Sequence, residues 1–281
     1  MLKKQNIIFL KNRKIIKITG EDATDFLQSL ITTDVKMIEA QKLLPGALLS
    51  PQGKVTADFL IGKIDQGYII DIAESLADAF QRRLLMYKLQ KKIDITKPLQ
   101  EVITISWQTE ISPYDFNLVF LITGSQKRKK LSEYMDILLP LIPEHDNDWH
   151  KIRIRYAITE SSQDYEIGKV FPHDINYDQI DGVSFNKGCY IGQEIVSRMH
   201  HRRTARRRIL IVKGQNLLMP RADIKAGNKV LGQLGTCVEN EALVLMRIDH
   251  VKDAMTQEIP LTVNNHPVTV SIPENVNFSF P

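Results

Sequence analysis

Cysteine occurs twice in this chain, at Cys189 and Cys237, and only Cys189 lies among residues that favour thiol chemistry. It sits in the stretch Asn186-Lys187-Gly188-Cys189-Tyr190-Ile191-Gly192-Gln193-Glu194-Ile195. The thiolate is the nucleophile and metal ligand, and a nearby cation or a helix N-terminus favours it over the thiol. Lys187 supplies the cation. Ile191, Ile195 and Met199, spaced by four, predict a short helix opening near Gly192. Gln193 and Glu194 then fall in its first turn. Gly188 and Gly192 let the backbone approach a ligand closely. The bland alternative is a small buried cysteine at a tight turn, with Glu194 as an ordinary helix-start acid.

Residues 198–208, RMHHRRTARRR, carry six arginines and two histidines. Arginine forks bind phosphate or carboxylate bidentately, so RNA, an anionic small molecule and an acidic protein all fit. No aromatic residue is interleaved, which argues against a single-strand stacking platform. The tract as a whole reads as a solvated, charge-protected edge, with Arg206, Arg207 and Arg208 individually dispensable. Arg198 stands four residues after Glu194 and suits a helix ion pair. His200 and His201 are adjacent and point to different sides, and no HxH or HxxxH occurs, so no metal site is expected. Nucleotide cradles of the GxGxxG and GxxxxGK[ST] types are absent, as is GxSxG.

The elements that must position these residues are legible in outline. Residues 13–20 read as a strand. Ala23, Phe26, Leu27 and Leu30 mark one face of a short helix. Turn signals at Pro51-Gln52-Gly53 and Asp65-Gln66-Gly67 separate strands over 43–50, 54–63 and 68–72. A helix over 74–89, a strand at Lys91–Thr96, strands over 101–107 and 117–123 and a helix over 126–138 follow. Trp149, Ile152 and Tyr156 have helical spacing. Residues 160–188 read as a long polar loop, of the kind that often carries function. After 205, short β runs spaced by about ten residues suggest a small barrel or sandwich. The reading is α+β, with residues 1–204 separate from a C-terminal domain over 205–281.

The 281 residues, 43% apolar and 25% charged, are ordinary for a globular protein with real cores. No apolar run reaches bilayer length, and the apolar stretch Ile7–Leu10 is too short for a signal-peptide core. Two cysteines 48 positions apart exclude a disulfide framework and point to a reducing cytoplasm. They also cannot supply the four thiolates of a typical iron–sulfur cluster. The net charge of +4 does not by itself imply nucleic acid.

The stretch GVSFNKGCYIGQEIVSR at 182–198 resembles the signature of the YgfZ family of folate-binding proteins, relatives of the T protein of the glycine cleavage system. EDATDFLQSLITTDV at 21–35, LLSPQGKVTADFLI at 48–61, RRLLMYKLQKKIDI at 82–95, FPHDINYDQI at 171–180 and ALVLMRIDHVKDA at 242–254 agree in order. The resemblance implies three subdomains around a central cavity that holds tetrahydrofolate or a one-carbon derivative, two of them α+β and the last a β-barrel. It also implies a role in assembling or repairing iron–sulfur proteins, and through them in tRNA thiolation. Its partners would be reduced folate and iron–sulfur proteins or their assembly factors, with direct tRNA contact not favoured. Lys187, Cys189, Tyr190, Gly192, Gln193 and Glu194 fall on the family motif. Cys189, Lys187 and Asp58 are then the expected chemical groups. Tyr190, Gly192, Gln193, Glu194, Arg198, Tyr87, Asp174 and Arg202 are the expected folate contacts.

Two departures stand out. The family has Arg-Gly after the motif helix, whereas here Arg202 is followed by Arg203. T proteins pair two aspartates where this chain has Ala57-Asp58, which weakens an aminomethyltransferase reading. Cys189 is left three possible roles: attack on a one-carbon unit, a transient mixed disulfide, or one ligand of a shared cluster.

Overall fold

The computed structural model describes residues 5–10, 12–39, 43–99, 103–108 and 146–280. The strand expected over 117–123 and the helix over 126–138 lie outside them. The chain divides into two compact units, the first comprising Met1–Leu27, Val35–Leu44 and Phe59–Asp146. The second comprises Gln28–Asp34, Pro45–Asp58 and Asn147–Pro281. Neither unit is a single run of chain, because the stretches 28–34 and 45–58 join the C-terminal half.

In the first unit β1 (Gln5–Leu10) pairs antiparallel with β7 (Ile103–Gln108), Gln5 opposite Gln108. The five-stranded sheet has strand order β3-β4-β5-β2-β6, where β2 is Arg13–Thr19, β3 Leu43–Leu49, β4 Val55–Ile64, β5 Gly67–Ala73 and β6 Asp94–Ile95, with residues 45–49 of β3 and 55–58 of β4 counted in the second unit. The turn read at Asp65-Gln66-Gly67 closes the β4–β5 hairpin, setting Ile64 opposite Gly67. The short helix α1 (Ala23–Gln28) buries Ala23, Phe26 and Leu27, three of the four positions that predicted it. Helix α2 (Glu74–Lys88) buries Ala77, Phe80 and Leu84. The Phe80 ring lies 5.2 Å from that of Phe59 on β4.

In the second unit, helix α3 (Asp146–Arg155) is followed by a long irregular stretch and then by α4 (Gln193–Arg202). Fully buried Arg153 organises the start of that stretch. Its guanidinium donates to Asp164 at 2.5 Å and to the Ile158 carbonyl at 3.1 Å. One cluster packs Ala47, Leu49 and Val55 with Ile175, Tyr177, Val183, Val196 and Ile209, fixing loop and helix on a common core.

Beyond it, strands β8 (Arg207–Gly214), β9 (Asp223–Ala226), β10 (Lys229–Val238), β11 (Glu241–Arg247), β12 (Leu261–Val263) and β13 (His266–Ser271) close a barrel in the order β10-β11-β8-β13-β12-β9. Its interior is apolar, built on Leu210, Val212, Leu234, Val244 and Val270. The class is α+β with a closed C-terminal barrel. One element departs from the expectation of a purely β C-terminal region. The run EALVLMRIDH ends as a strand at Arg247, and α5 (Ile248–Thr256) follows, burying Ile248, Val251 and Ala254.

Candidate functional site

The motif turn belongs wholly to the second unit. Its lysine points inward. Lys187 Nζ donates to the carbonyl oxygens of Ile31 and Thr33, at 2.6 and 2.8 Å, and lies 5.0 Å from the Tyr190 ring centre. Burial pushes its pKa down to about 8, against the opposing charge of Asp34. The segment it grips is stitched to the loop by Thr32. The Thr32 hydroxyl donates to the Gly182 carbonyl at 2.6 Å, and the Ser184 amide donates to the Thr32 carbonyl at 2.9 Å. Lys187, read from the sequence as the cation beside the thiol, is thus committed to two carbonyls and works as the anchor of the turn.

Cys189 is exposed, three residues before the helix cap Gly192. Tyr190 beside it is buried, and its hydroxyl has no hydrogen-bond partner among the described residues. Burial raises the Tyr190 pKa above the ordinary phenol value. Gly192 has φ 77°, and a Cβ there would meet the Ser50 carbonyl oxygen at 2.5 Å. Its freedom therefore serves backbone-to-backbone packing, where the sequence suggested approach to a ligand. Helix α4 opens at Gln193, whose amide donates to the Tyr190 carbonyl at 3.2 Å. Glu194 and Arg198 form the expected i,i+4 pair on the exposed side of α4. Arg202 ends the helix, also exposed.

The other expected site residues lie on separate elements. Asp58 is buried near Tyr165, whose pKa is raised well above normal by burial and then by the charge of Asp58. Asp174 has one oxygen bound on two sides, accepting from the Phe171 amide at 2.9 Å and from Arg207 at 2.6 Å. Tyr87 is on α2 in the first unit, 37% exposed. A groove of about 420 Å³ in that unit is lined by Gly20, Glu21, Thr24, Lys63, Asp65 and Tyr68, none of them an expected contact.

The basic tract corrects the sequence reading. Arg207 pairs with Asp174, and Arg208 is buried with a bidentate grip on Asp178 at 2.5 and 2.9 Å. Arg206 is exposed, Arg207 is half-buried and Arg208 is buried. The tract is not a uniform charged edge, because strand alternation on β8 turns Arg208 toward the loop that carries Asp178. The sequence reading weighed His200 only against its neighbour His201 and expected no metal there. His173 and His200 lie beside Asp178 with ligand atoms within 4.8 Å of one another. They are far apart in sequence and no local motif links them.

The architecture is that of an aminomethyltransferase-like fold with a closing barrel. The chain superposes on the glycine cleavage system aminomethyltransferase T of Bartonella henselae with a TM-score of 0.69, covering 99% of this chain and 88% of that one at 11% identity. Residues 206–278 match the CAF17 C-terminal beta-barrel domain. By sequence, the chain is 26% identical to the Neurospora crassa homologue of the mitochondrial iron–sulfur cluster assembly factor IBA57, over 72% of this chain and 52% of that protein. It is 25% identical to mouse mitochondrial IBA57, over 90% and 82%. It is 24% identical to the tRNA-modifying protein YgfZ of Photobacterium profundum, over 78% and 73%. The chain thus has homologues among the YgfZ proteins, as the motif indicated, and among the IBA57 proteins, which the motif did not name, and it spans about half the length of the fungal relatives it matches. Among the described residues, no helix is long and apolar enough to cross a membrane.

Proposed function

We propose that this chain is a tetrahydrofolate-binding accessory factor for the assembly or repair of iron–sulfur proteins, working in the cytoplasm through Cys189 and supporting tRNA modification indirectly. The observation that carries the reading is an exposed thiol on a turn that Lys187 anchors to the Ile31 and Thr33 carbonyls. An exposed cysteine on an anchored turn can reach a client protein. Relatives named for iron–sulfur cluster assembly and for tRNA modification support the same direction.

Folate is the ligand that the fold suggests, and the residues present suit a polar, planar group. The buried Tyr190 hydroxyl has no partner among the described residues, and a pterin edge would supply one. Asp58 offers a buried carboxylate of the kind that reads pterin N–H groups. Gln193 and Arg202 are the candidate contacts to the glutamyl tail. When bound, the folate supplies or accepts a one-carbon unit; this chain's residues bind and orient it.

Titration with tetrahydrofolate should saturate, and Tyr190→Phe should weaken binding. Absence of binding at millimolar folate, about 4 kcal/mol, refutes the reading. A folate-dependent aminomethyltransferase is the second reading, resting on Asp58 buried beside Tyr165. Turnover of a one-carbon donor by the purified chain would establish it. Direct tRNA binding through the basic tract is disfavoured, because Arg207 and Arg208 already hold carboxylates.

A further inference from the structure

At the far end of the motif helix, the second unit brings together three side chains that no sequence spacing joins. His173 and Asp178 come from the loop around the short turn Pro172–Ile175, and His200 from the last turn of α4. One ligand atom from each lies within 4.8 Å of the other two. We propose that His173, Asp178 and His200 form a mononuclear site for a divalent transition metal of the zinc or iron(II) class, bound by two imidazoles and one carboxylate.

His173 carries the argument. It is 1% exposed, and neither ring nitrogen has a hydrogen-bond partner among the described residues. Buried polar atoms in native proteins are almost always satisfied, so two orphaned nitrogens on one ring call for a ligand.

The other two ligands are already oriented. The His200 ring stacks on Phe185 at 3.7 Å between centres, with the planes 18° apart, and Phe185 lies 6.0 Å from His173. Asp178 is held by Arg208 at both oxygens and by the Gln179 amide at Oδ2, 3.0 Å away. A carboxylate has about four lone-pair positions. Those three bonds leave one on Oδ1 for a metal. Such fixing of a ligating carboxylate is what holds metal sites in geometry.

Charge and donor type select the metal. Arg208 balances Asp178, so affinity rests mainly on the imidazoles. That disfavours calcium and magnesium, which need oxygen ligands, and favours zinc, iron(II), cobalt or nickel. Three protein ligands leave a position open for water or a further ligand. The proposal does not depend on folate binding or on the role of Cys189.

The test uses the full, untagged chain with Cys189→Ser, so that the exposed thiol cannot compete for metal. Stripped with chelator, it is titrated with Co²⁺ and followed by visible absorption and equilibrium dialysis. The expected result is one Co²⁺ per chain with d–d bands of nitrogen and oxygen coordination. His200→Ala should then lose affinity by at least about tenfold, or ~1.4 kcal/mol. His200 is exposed, so this variant should still fold, and circular dichroism checks that. No stoichiometric binding below about 1 mM Co²⁺ overturns the site. A smaller loss in His200→Ala, or an equal loss in the neighbouring His201→Ala, overturns it too.

Discussion

Arg208 grips Asp178 with two parallel hydrogen bonds, Nη1 to Oδ1 at 2.5 Å and Nη2 to Oδ2 at 2.9 Å. Both side chains are more than nine-tenths buried. The same Nη1 donates to the His173 carbonyl at 2.7 Å, and the guanidinium lies 5.0 Å from the Phe278 ring centre. One arginine therefore ties β8 to the loop and to the C-terminal segment.

Removing one partner of a buried ion pair leaves an uncompensated charge, which costs about 3–5 kcal/mol. Arg208→Ala should lose stability on that scale in urea unfolding. Arg206→Ala, on a solvated side chain, should stay within about 0.5 kcal/mol of the parent. Equal midpoints for the two variants would restore the picture of a uniformly dispensable basic tract.

Lys187 predicts a pH signature. Its folded pKa is lowered to about 8 from 10.5, by burial first, with Asp34 opposing. Between those two values the unfolded chain holds a proton that the folded chain has shed. Stability therefore rises with pH across this window. The contribution is fully present above 10.5 and is lost as pH falls through about 8. Lys187→Met leaves the Ile31 and Thr33 carbonyls without their donor, a pH-independent loss. It should also remove the slope. Unfolding midpoints at pH 8 and pH 10 for both proteins measure this; parallel pH dependences would show that the lysine is not depressed.

Two left-handed positions bracket α4 and should respond in opposite directions. Gly192 has φ 77°, and its missing Cβ would strike the Ser50 carbonyl. Gly192→Ala should cost more than about 1 kcal/mol, since strain and clash add. Arg203, where the resembling family has glycine, is the C-cap at φ 52° and ψ 41°. Its amide bonds to the carbonyls of His200 and Met199, so the turn closes without glycine. Arg203→Gly should relieve strain of roughly 1 kcal/mol, partly offset by the entropy of a freer unfolded chain. Thermal melts of both variants decide it, and a less stable Arg203→Gly would mean that the arginine side chain contributes more than its backbone costs.

What the sequence made legible follows from the range of the signal. The strand read over 13–20 and the helix read over 74–89 announce themselves by local periodicity and turn residues, and both form, each one residue shorter. Helix α5 was hidden because β11 runs into it at Arg247 with no glycine or proline between, so the apolar pattern changes period without punctuation. The motif turn was found because its residues are consecutive. The inward course of Lys187 was not, because its acceptors at Ile31 and Thr33 lie more than 150 positions away. Asp178 met Arg208, and His173 met His200, only through folding. The loop 160–188 was rightly read as irregular, but its own spacing carries no trace of those partners.

The two cysteines should separate cleanly in a labelling experiment. Cys237 lies on β10, its Sγ donating to the Gly235 carbonyl at 3.4 Å. Burial, and then the charge of Asp164, pushes its pKa up to about 12. At neutral pH it stays a protonated thiol, inert because the thiolate is the reactive form. Cys189 is exposed, beside a glycine whose Cα has open space around it. At pH 8 a maleimide or iodoacetamide should modify one thiol per native chain, at Cys189 by peptide mapping, and the second only after unfolding. Cys237→Ala should cost at most ~1 kcal/mol and retain function. Cys189→Ser should fold normally yet fail to complement an iron–sulfur enzyme defect. Full complementation by Cys189→Ser would leave this cysteine with no chemical role and would remove the basis of the proposed function.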